Sequence, residues 1–182
     1  IVEDLRNARR FLSKCGWTGQ IDELEFYELN EHSRGTDIIN HLRQAEKGLD
    51  IGLLSDAGTP CIADPGADIV AMAHEKGIQV IPLVGPSSIL LSLMASGFNG
   101  QNFAFLGYLP RERKQREKTI KDLERKIYKE NQTQIFIEAP YRNNQMLESL
   151  IQTCSAQTKI CVAREITLET ESIISQTSIQ WK

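Results

Sequence analysis

No stretch of this 182-residue chain approaches the roughly 18 consecutive apolar residues that a membrane-crossing helix requires. Nor is there a Walker A string or a G-x-G-x-x-G turn, which argues against the common nucleotide-phosphate cradles. The four cysteines (Cys15, Cys61, Cys154, Cys161) form no Cys-x-x-Cys pair and show no zinc spacing. They read as reduced, mostly packed thiols of a cytoplasmic protein. Only three histidines are present (His32, His41, His74), so few Ser-His-Asp arrangements are open. His41 and His74 fall in expected helices, whereas His32 follows an expected strand and can face a cleft. The basic segment 111–129 carries no interleaved aromatic series for base stacking, since Tyr128 stands alone there. The chain opens on Ile1 without a methionine, and the expectation is that at least one element precedes it.

What is present is balanced: 41% hydrophobic residues, 25% charged and a net charge of −3. That describes a soluble globular protein of one large or two small domains. The charge is unevenly spread. Residues 1–110 hold 8 basic against 14 acidic residues, and residues 111–182 hold 13 against 10. Most of the positive excess lies in segment 111–129, with nine basic and four acidic residues. This shift suggests two domains, 1–106 and 107–182, with Gly107-Tyr108-Leu109-Pro110 as a short linker.

Apolar periodicity predicts helices over 4–14, 37–47, 67–76, 87–96, 111–131 and 143–154. Strands are expected over 21–29, 51–54, 78–83, 103–107, 134–138 and 159–163, and a last one from 171. Strands alternating with helices of about ten residues argue for an α/β fold with a parallel, doubly wound sheet in the first half.

In such a sheet ligands bind beyond the carboxyl ends of the strands. Two ends stand out. After 51–54 comes Ser55-Asp56-Ala57-Gly58-Thr59-Pro60-Cys61-Ile62-Ala63-Asp64-Pro65-Gly66, and after 78–83 comes Val84-Gly85-Pro86-Ser87-Ser88. Both are well-made βα turns in the simpler reading, with Ser87 as a helix cap. The first is nevertheless long beside the roughly two to six residues of most βα connections, and long ordered loops at strand ends often carry function. Three further strand ends carry an acid and an arginine: Glu3-Asp4-Leu5-Arg6, Glu138-Ala139-Pro140-Tyr141-Arg142 and Arg164-Glu165. These charges either pair with each other or face a cleft, and Glu3 and Asp4 also suit a helix N-terminus. The basic segment 111–129 is either a solvated helix face or a surface for a polyanion such as RNA.

Taken in order, SDAGTPCIADPG, IPLVGPSS, FLGYLP, IEAPYR and AREIT resemble the tetrapyrrole methylase family of S-adenosylmethionine (SAM)-dependent methyltransferases. The nearest likeness is to the branch that methylates a cytidine 2′-hydroxyl of 16S ribosomal RNA. The resemblance runs from Glu3 to about Glu171. It implies two α/β domains of the tetrapyrrole methylase type with the cofactor cleft between them, in a homodimer. It also implies SAM-binding loops at Asp56, Ala57, Gly58, Thr59, Pro60 and Asp64, and at Gly85, Pro86, Ser87 and Ser88. The branch's Glu-Asp-Thr-Arg, Glu-Ser-Pro-His-Arg and Arg-Glu-Leu-Thr-Lys elements fall on residues 3–6, 138–142 and 164–168. Leu5, Ala139, Tyr141 and Leu168 depart from them.

The departures gather on the substrate side, while the cofactor loops are nearly intact. Catalytic candidates are Glu3, Asp4, Glu31, His32, Glu138 and Glu165, with Arg6, Arg142 and Arg164 to orient an anionic substrate. Three functions remain open: an RNA 2′-O-methyltransferase, a methyltransferase of a tetrapyrrole or other small molecule, and a non-catalytic SAM-fold or RNA-binding protein. Ribosomal RNA, reached through segment 111–129, is the expected partner, and neither DNA nor a membrane is.

Overall fold

The computed structural model describes every residue except 31–32 and 34–38. Glu31, His32 and the start of the helix expected over 37–47 lie outside the described residues. The chain forms two compact units, Ile1–Pro86 and Ser87–Lys182.

In the first unit, α1 (Leu5–Leu12) starts where Asp4 Oδ1 accepts from the Asn7 amide at 2.7 Å. This is an N-cap that satisfies one of the helix's unpaired donors. The helical run continues past residue 14 as the wider turn Ser13–Trp17, which is kinked at Gly16 (φ +92°). The apolar residues of α1 are also largely open: Ala8 is buried, but Leu5 and Phe11 are exposed. A 3-10 turn (Ile39–Leu42) and a one-turn α2 (Arg43–Glu46) stand in the remainder of the 37–47 region. α3 (Ala67–Glu75) follows and ends at Gly77, with Ile78 N donating to Ala73 O at 2.9 Å.

The doubly wound sheet is reduced here to its centre. Val2 bridges Glu28 on one side and Leu54 on the other, both in parallel. Val2 N donates to Tyr27 O and Leu29 N to Val2 O, each at 2.8 Å, while Leu54 N donates to Ile1 O at 3.0 Å. Residues 21–29 therefore do not form the expected strand: they begin as a 3-10 turn, Ile21–Glu23, and pair only near Glu28. Residues 51–54 pair only at Leu54, and residues 78–83 pair with nothing among the described residues. Ile78 and Val80 still pack on the core, but Ile81 and Leu83 are exposed. The apolar pattern of a strand is present there without the neighbour whose backbone would make it one. The core comprises Ile1, Leu29, Leu42, Ile69 and Ala73, with Tyr27, Leu53 and Met72 against it.

The second unit begins with α4 (Ser88–Ser96), a helix of the first half in the sequence reading. It packs on β4 (Ser172–Thr177), where Ser175 Oγ donates to Ser96 O at 2.9 Å. That packing groups residues 87–106 with the C-terminal part of the chain. β1 (Phe103–Tyr108) runs parallel to β2 (Thr133–Ile137), with an irregularity before Tyr108 where Gly107 takes φ +65°. β3 (Lys159–Arg164) and β4 form an antiparallel hairpin from Lys159↔Thr177 to Arg164↔Ser172. α5 (Arg113–Glu130) and α6 (Asn143–Thr153) cover the core of Leu109, Ile120, Leu123, Met146, Leu150 and Ile160.

Within the expected linker 107–110, Leu109 is buried in that core, while Tyr108 is exposed. Arg116, one of the nine basic residues of segment 111–129, is buried beside this linker. Its Nε donates to Ser149 Oγ at 3.0 Å and its Nη1 to Arg111 O at 2.8 Å. A guanidinium held by bonds to both is a bracket between a loop and two helices.

Candidate functional site

The ends of the Val2 and Leu54 segments meet because their backbones are paired. Glu3 Oε2 accepts from the Asp56 amide at 3.1 Å, and Asp56 Oδ2 accepts from Asn7 Nδ2 at 2.6 Å. Glu3, Asp4 and Asp56 are thus gathered around the start of α1, next to the long loop 55–66. Asn7 and Glu28 were not among the sequence candidates, and Glu28 Oε1 accepts from the Leu5 amide at 3.2 Å. A polar residue three positions after an aspartate cap was the one local signal for Asn7.

The loop is a folded object in its own right. Ser55 Oγ donates to Ala57 O at 3.3 Å, Ile62 N to Thr59 O at 3.2 Å and Cys61 N to Pro65 O at 3.3 Å. Four of its residues take positive φ: Gly58 (+77°), Cys61 (+69°), Ala63 (+60°) and Gly66 (+130°). Two of them carry a Cβ, and such strain persists only where surrounding contacts impose it; it concentrates at ligand sites and switches. Gly66 is required sterically, because a Cβ there would lie 2.7 Å from Leu53 Cδ2 and 3.0 Å from Cys61 Sγ. Ala57 and Gly58 are exposed, and their amides bond to no described group. Asp64 Oδ2 lies 3.9 Å from the Cβ position of Gly58. Partial burial, then the charges of Glu3 and Asp56, raise the Asp64 carboxyl above its ordinary pKa, against a lowering hydrogen bond with Ser55.

The second loop is plainer. Residues 81–86 have no regular structure and are exposed, and Ser87 (φ −127°) precedes α4 without a side-chain cap bond. Its carbonyl accepts from Leu91 N at 2.9 Å. Gly85 and Gly100 alike have nothing within 4 Å of a Cβ, so Gly85 is not held by close packing.

In the second unit Glu138 and Arg142 pair with each other. Arg142 Nη2 lies 2.8 Å from Glu138 Oε2, with both side chains nearly buried. Glu138 Oε1 also accepts from the Ala139 amide at 2.8 Å. Pro140 opens the 3-10 turn Pro140–Arg142 that makes this spacing close. Arg164 and Glu165 are exposed at the end of β3, where Glu165 (φ +51°) and Thr167 (φ +72°) are both strained. Thr167 N donates to Glu171 Oε2 at 2.7 Å. A depression of about 340 Å³ lies between this turn and α4, lined by Leu91, Met94, Ala95, Ile166, Thr167 and Ile173 among others. The larger depression, about 580 Å³, is on α5 and contains none of the sequence-predicted site residues.

No helix among the described residues is long and apolar enough to cross a membrane. Comparison with known proteins finds likenesses of both sequence and fold. The profile of the tetrapyrrole (corrin/porphyrin) methylases matches residues 13–180. The chain is 34% identical over 172 residues to a ribosomal RNA small subunit methyltransferase I of Vibrio cholerae, covering 94% of this chain and 57% of that protein. It is 38% identical over 154 residues to the protein of the same name from Bacillus subtilis, covering 85% of this chain and 50% of that one. The chain therefore spans between half and three fifths of the length of these two relatives. Among solved structures, the methyltransferase CobJ matches with a TM-score of 0.54 at 15% identity, over 89% of this chain and 73% of that one. This last likeness is one of fold.

Proposed function

Because this chain belongs to the tetrapyrrole (corrin/porphyrin) methylase family, we propose that it acts as a SAM-dependent methyltransferase on ribosomal RNA, at a ribose 2′-hydroxyl. The observation that carries the reading is the strained loop 55–66 tied to the acidic end of the Val2 segment through Asp56 and Glu3. The names of the Vibrio and Bacillus relatives support ribosomal RNA as the acceptor. The cofactor cleft between two α/β domains, the homodimer and a cytoplasmic location belong to the same proposal and rest on the family resemblance.

The residues present suit SAM. The cofactor is cationic at sulfur, and Glu3, Asp56 and Asp64 concentrate negative charge around the Gly58 turn. The exposed amides of Ala57 and Gly58 are donors for its polar groups, and Thr59, Pro60, Gly85, Pro86, Ser87 and Ser88 complete the proposed binding loops. SAM supplies, when bound, an electrophilic methyl group whose transfer discharges the sulfonium.

The chain's own part is to bind, orient and accept a proton. Holding a nucleophile in line is worth up to roughly 7–11 kcal/mol in favourable cases. Glu3 Oε1 is the oxygen left over once Oε2 accepts from Asp56. It takes the proton of the attacking hydroxyl as general base, while Asp4 fixes the start of α1. Arg6 and Arg164, both exposed, and Glu165 orient the anionic substrate. Glu138 neutralises Arg142, and together they hold the turn before α6.

Calorimetry with SAM tests the cofactor. We expect binding, and its loss in Gly58→Val, where a β-branched residue is forced to φ +77° with room for its Cβ. Absence of heat at millimolar SAM overturns the assignment. Labelled SAM offered with small ribosomal subunits or with uroporphyrinogen identifies the acceptor. Label in the porphyrinogen alone overturns the RNA reading and leaves the family's small-molecule chemistry.

A further inference from the structure

Most of the acids along α5 are already engaged, and its lysines are not. Of the five acids in residues 112–130, Glu112 caps the helix by accepting from the amides of Lys114 and Gln115. Glu117 pairs with Arg113 at 2.7 Å and Asp122 with Arg125 at 3.0 Å. Glu124 accepts from the Ser155 amide at 2.7 Å and from the Thr158 hydroxyl. Lys114, Lys118, Lys121, Lys126 and Lys129 are exposed and have no ion partner among the described residues.

Position on the helix then matters. Lys114, Lys118, Lys121, Arg125 and Lys129 follow one another at steps of three or four residues, which keeps them on one face. At 1.5 Å per residue the row is about 22 Å long. Tyr128 lies at its C-terminal end, 61% exposed, with its hydroxyl 2.8 Å from Thr158 Oγ1. Its ring, Lys121, Arg125 and Lys129 border the depression of about 580 Å³. Buried Arg116 and paired Arg113 are off the row, so the nine basic residues of the segment are not equivalent.

We propose that this face of α5 docks the phosphate backbone of the RNA substrate, with Tyr128 at its end offering a ring to one unpaired base. The proposal rests on the RNA reading given above. A row of cations that releases counterions from a polyanion gives affinity with little sequence preference. An exposed ring can add stacking on any base, since every base has a π-face.

The test uses a fluorescent fragment of small-subunit ribosomal RNA, phosphatidylglycerol vesicles as a second anionic surface, and SAM calorimetry as a check on folding. Lys121→Glu and Lys126→Glu change net charge equally, but only Lys121 is on the row. We expect Lys121→Glu to weaken RNA binding roughly tenfold and Lys126→Glu to weaken it much less. Lys118→Ala with Lys121→Ala lowers the slope of log K against log salt by about 1.5. Tyr128→Ala weakens binding roughly fivefold or more without altering that slope, and Tyr128→Phe restores it. Equal losses from Lys121→Glu and Lys126→Glu overturn the proposal, as does vesicle binding that responds to the row while RNA binding does not. A protein that binds SAM but not RNA also overturns it while leaving SAM-dependent methylation standing; one that binds neither removes the underlying reading as well.

Discussion

Replacing Gly66 by alanine probes the loop on which the site depends. The added Cβ would lie 2.7 Å from Leu53 Cδ2 and 3.0 Å from Cys61 Sγ, at a φ of +130°. A backbone in that region disfavours any residue with a Cβ by about 1–3 kcal/mol. Overpacking against Leu53 adds roughly 1–3 kcal/mol. The sum is a large share of the about 5–15 kcal/mol that holds a typical domain folded. Gly77→Ala is the control, since Gly77 is also left-handed (φ +67°) but has nothing within 4 Å of its Cβ position. The readout is hydrogen exchange of the α3 amides in increasing urea. With a slope of about 1–3 kcal/mol per molar urea, Gly66→Ala should open α3 at roughly 1 M less urea than Gly77→Ala. Adding Leu53→Ala to Gly66→Ala should recover part of the loss, a coupling that independent sites do not show. Equal behaviour of the two alanine variants would refute the packing argument.

Other perturbations have equally definite outcomes. Arg116→Met removes the bonds to Ser149 Oγ and Arg111 O and should destabilise the second unit by about 2–3 kcal/mol, read by thermal unfolding; no change would show that the bracket is idle. Burial first, then Glu3 and Asp56, raise the Asp64 carboxyl, so the native state binds that proton more tightly than the unfolded chain. Stability should fall as pH rises from the ordinary carboxylate range through the raised value. Asp64→Asn should flatten that part of a melting-temperature profile against pH, and an unchanged profile would count against the crowding. The Cys154 thiol, pushed up to about 11 by burial and then Glu124, should resist iodoacetamide at pH 8 while exposed Cys15 reacts. Peptide mass spectrometry reads both, and rapid labelling of Cys154 in the folded protein would refute its shielding.

The helices were legible where caps and periodicity agreed. α1, α3 and α4 fall close to the expected 4–14, 67–76 and 87–96, delimited by Asp4, Gly77 and Gly97, and within the expected 111–131 helix α5 buries Ile120 and Leu123. The strands of the second unit were legible too. Those of the first were not, because Ile81 and Leu83 look like strand residues in any local window. A ladder depends on a distant backbone that no local pattern specifies. Strand-end reasoning pointed to residues 3–6 and to loop 55–66 separately; that Glu3 meets Asp56 depends on the parallel pairing of their two segments, which brings the carboxyl ends together. Arg116 was illegible: nothing in a run of nine basic residues marks the one whose guanidinium is enclosed by Ser149 and the Arg111 carbonyl. The close pairing of Glu138 with Arg142 was one of two readings open in the sequence, and the 3-10 turn after Pro140 favours it.

The rung at Val2 also bears on the order in which the chain folds. It is closed by bonds such as Ile1 N to Gly52 O, 51 positions apart. In the second unit the Arg164↔Ser172 end of the β3–β4 hairpin joins residues across a short turn. Local pairings form with little loss of chain entropy, whereas distant ones wait for the intervening segment to be gathered in. The hairpin should therefore form early. The acidic end of the Val2 segment and the strained loop beside it should be completed late, and should be among the first parts exposed to a protease when the first unit opens.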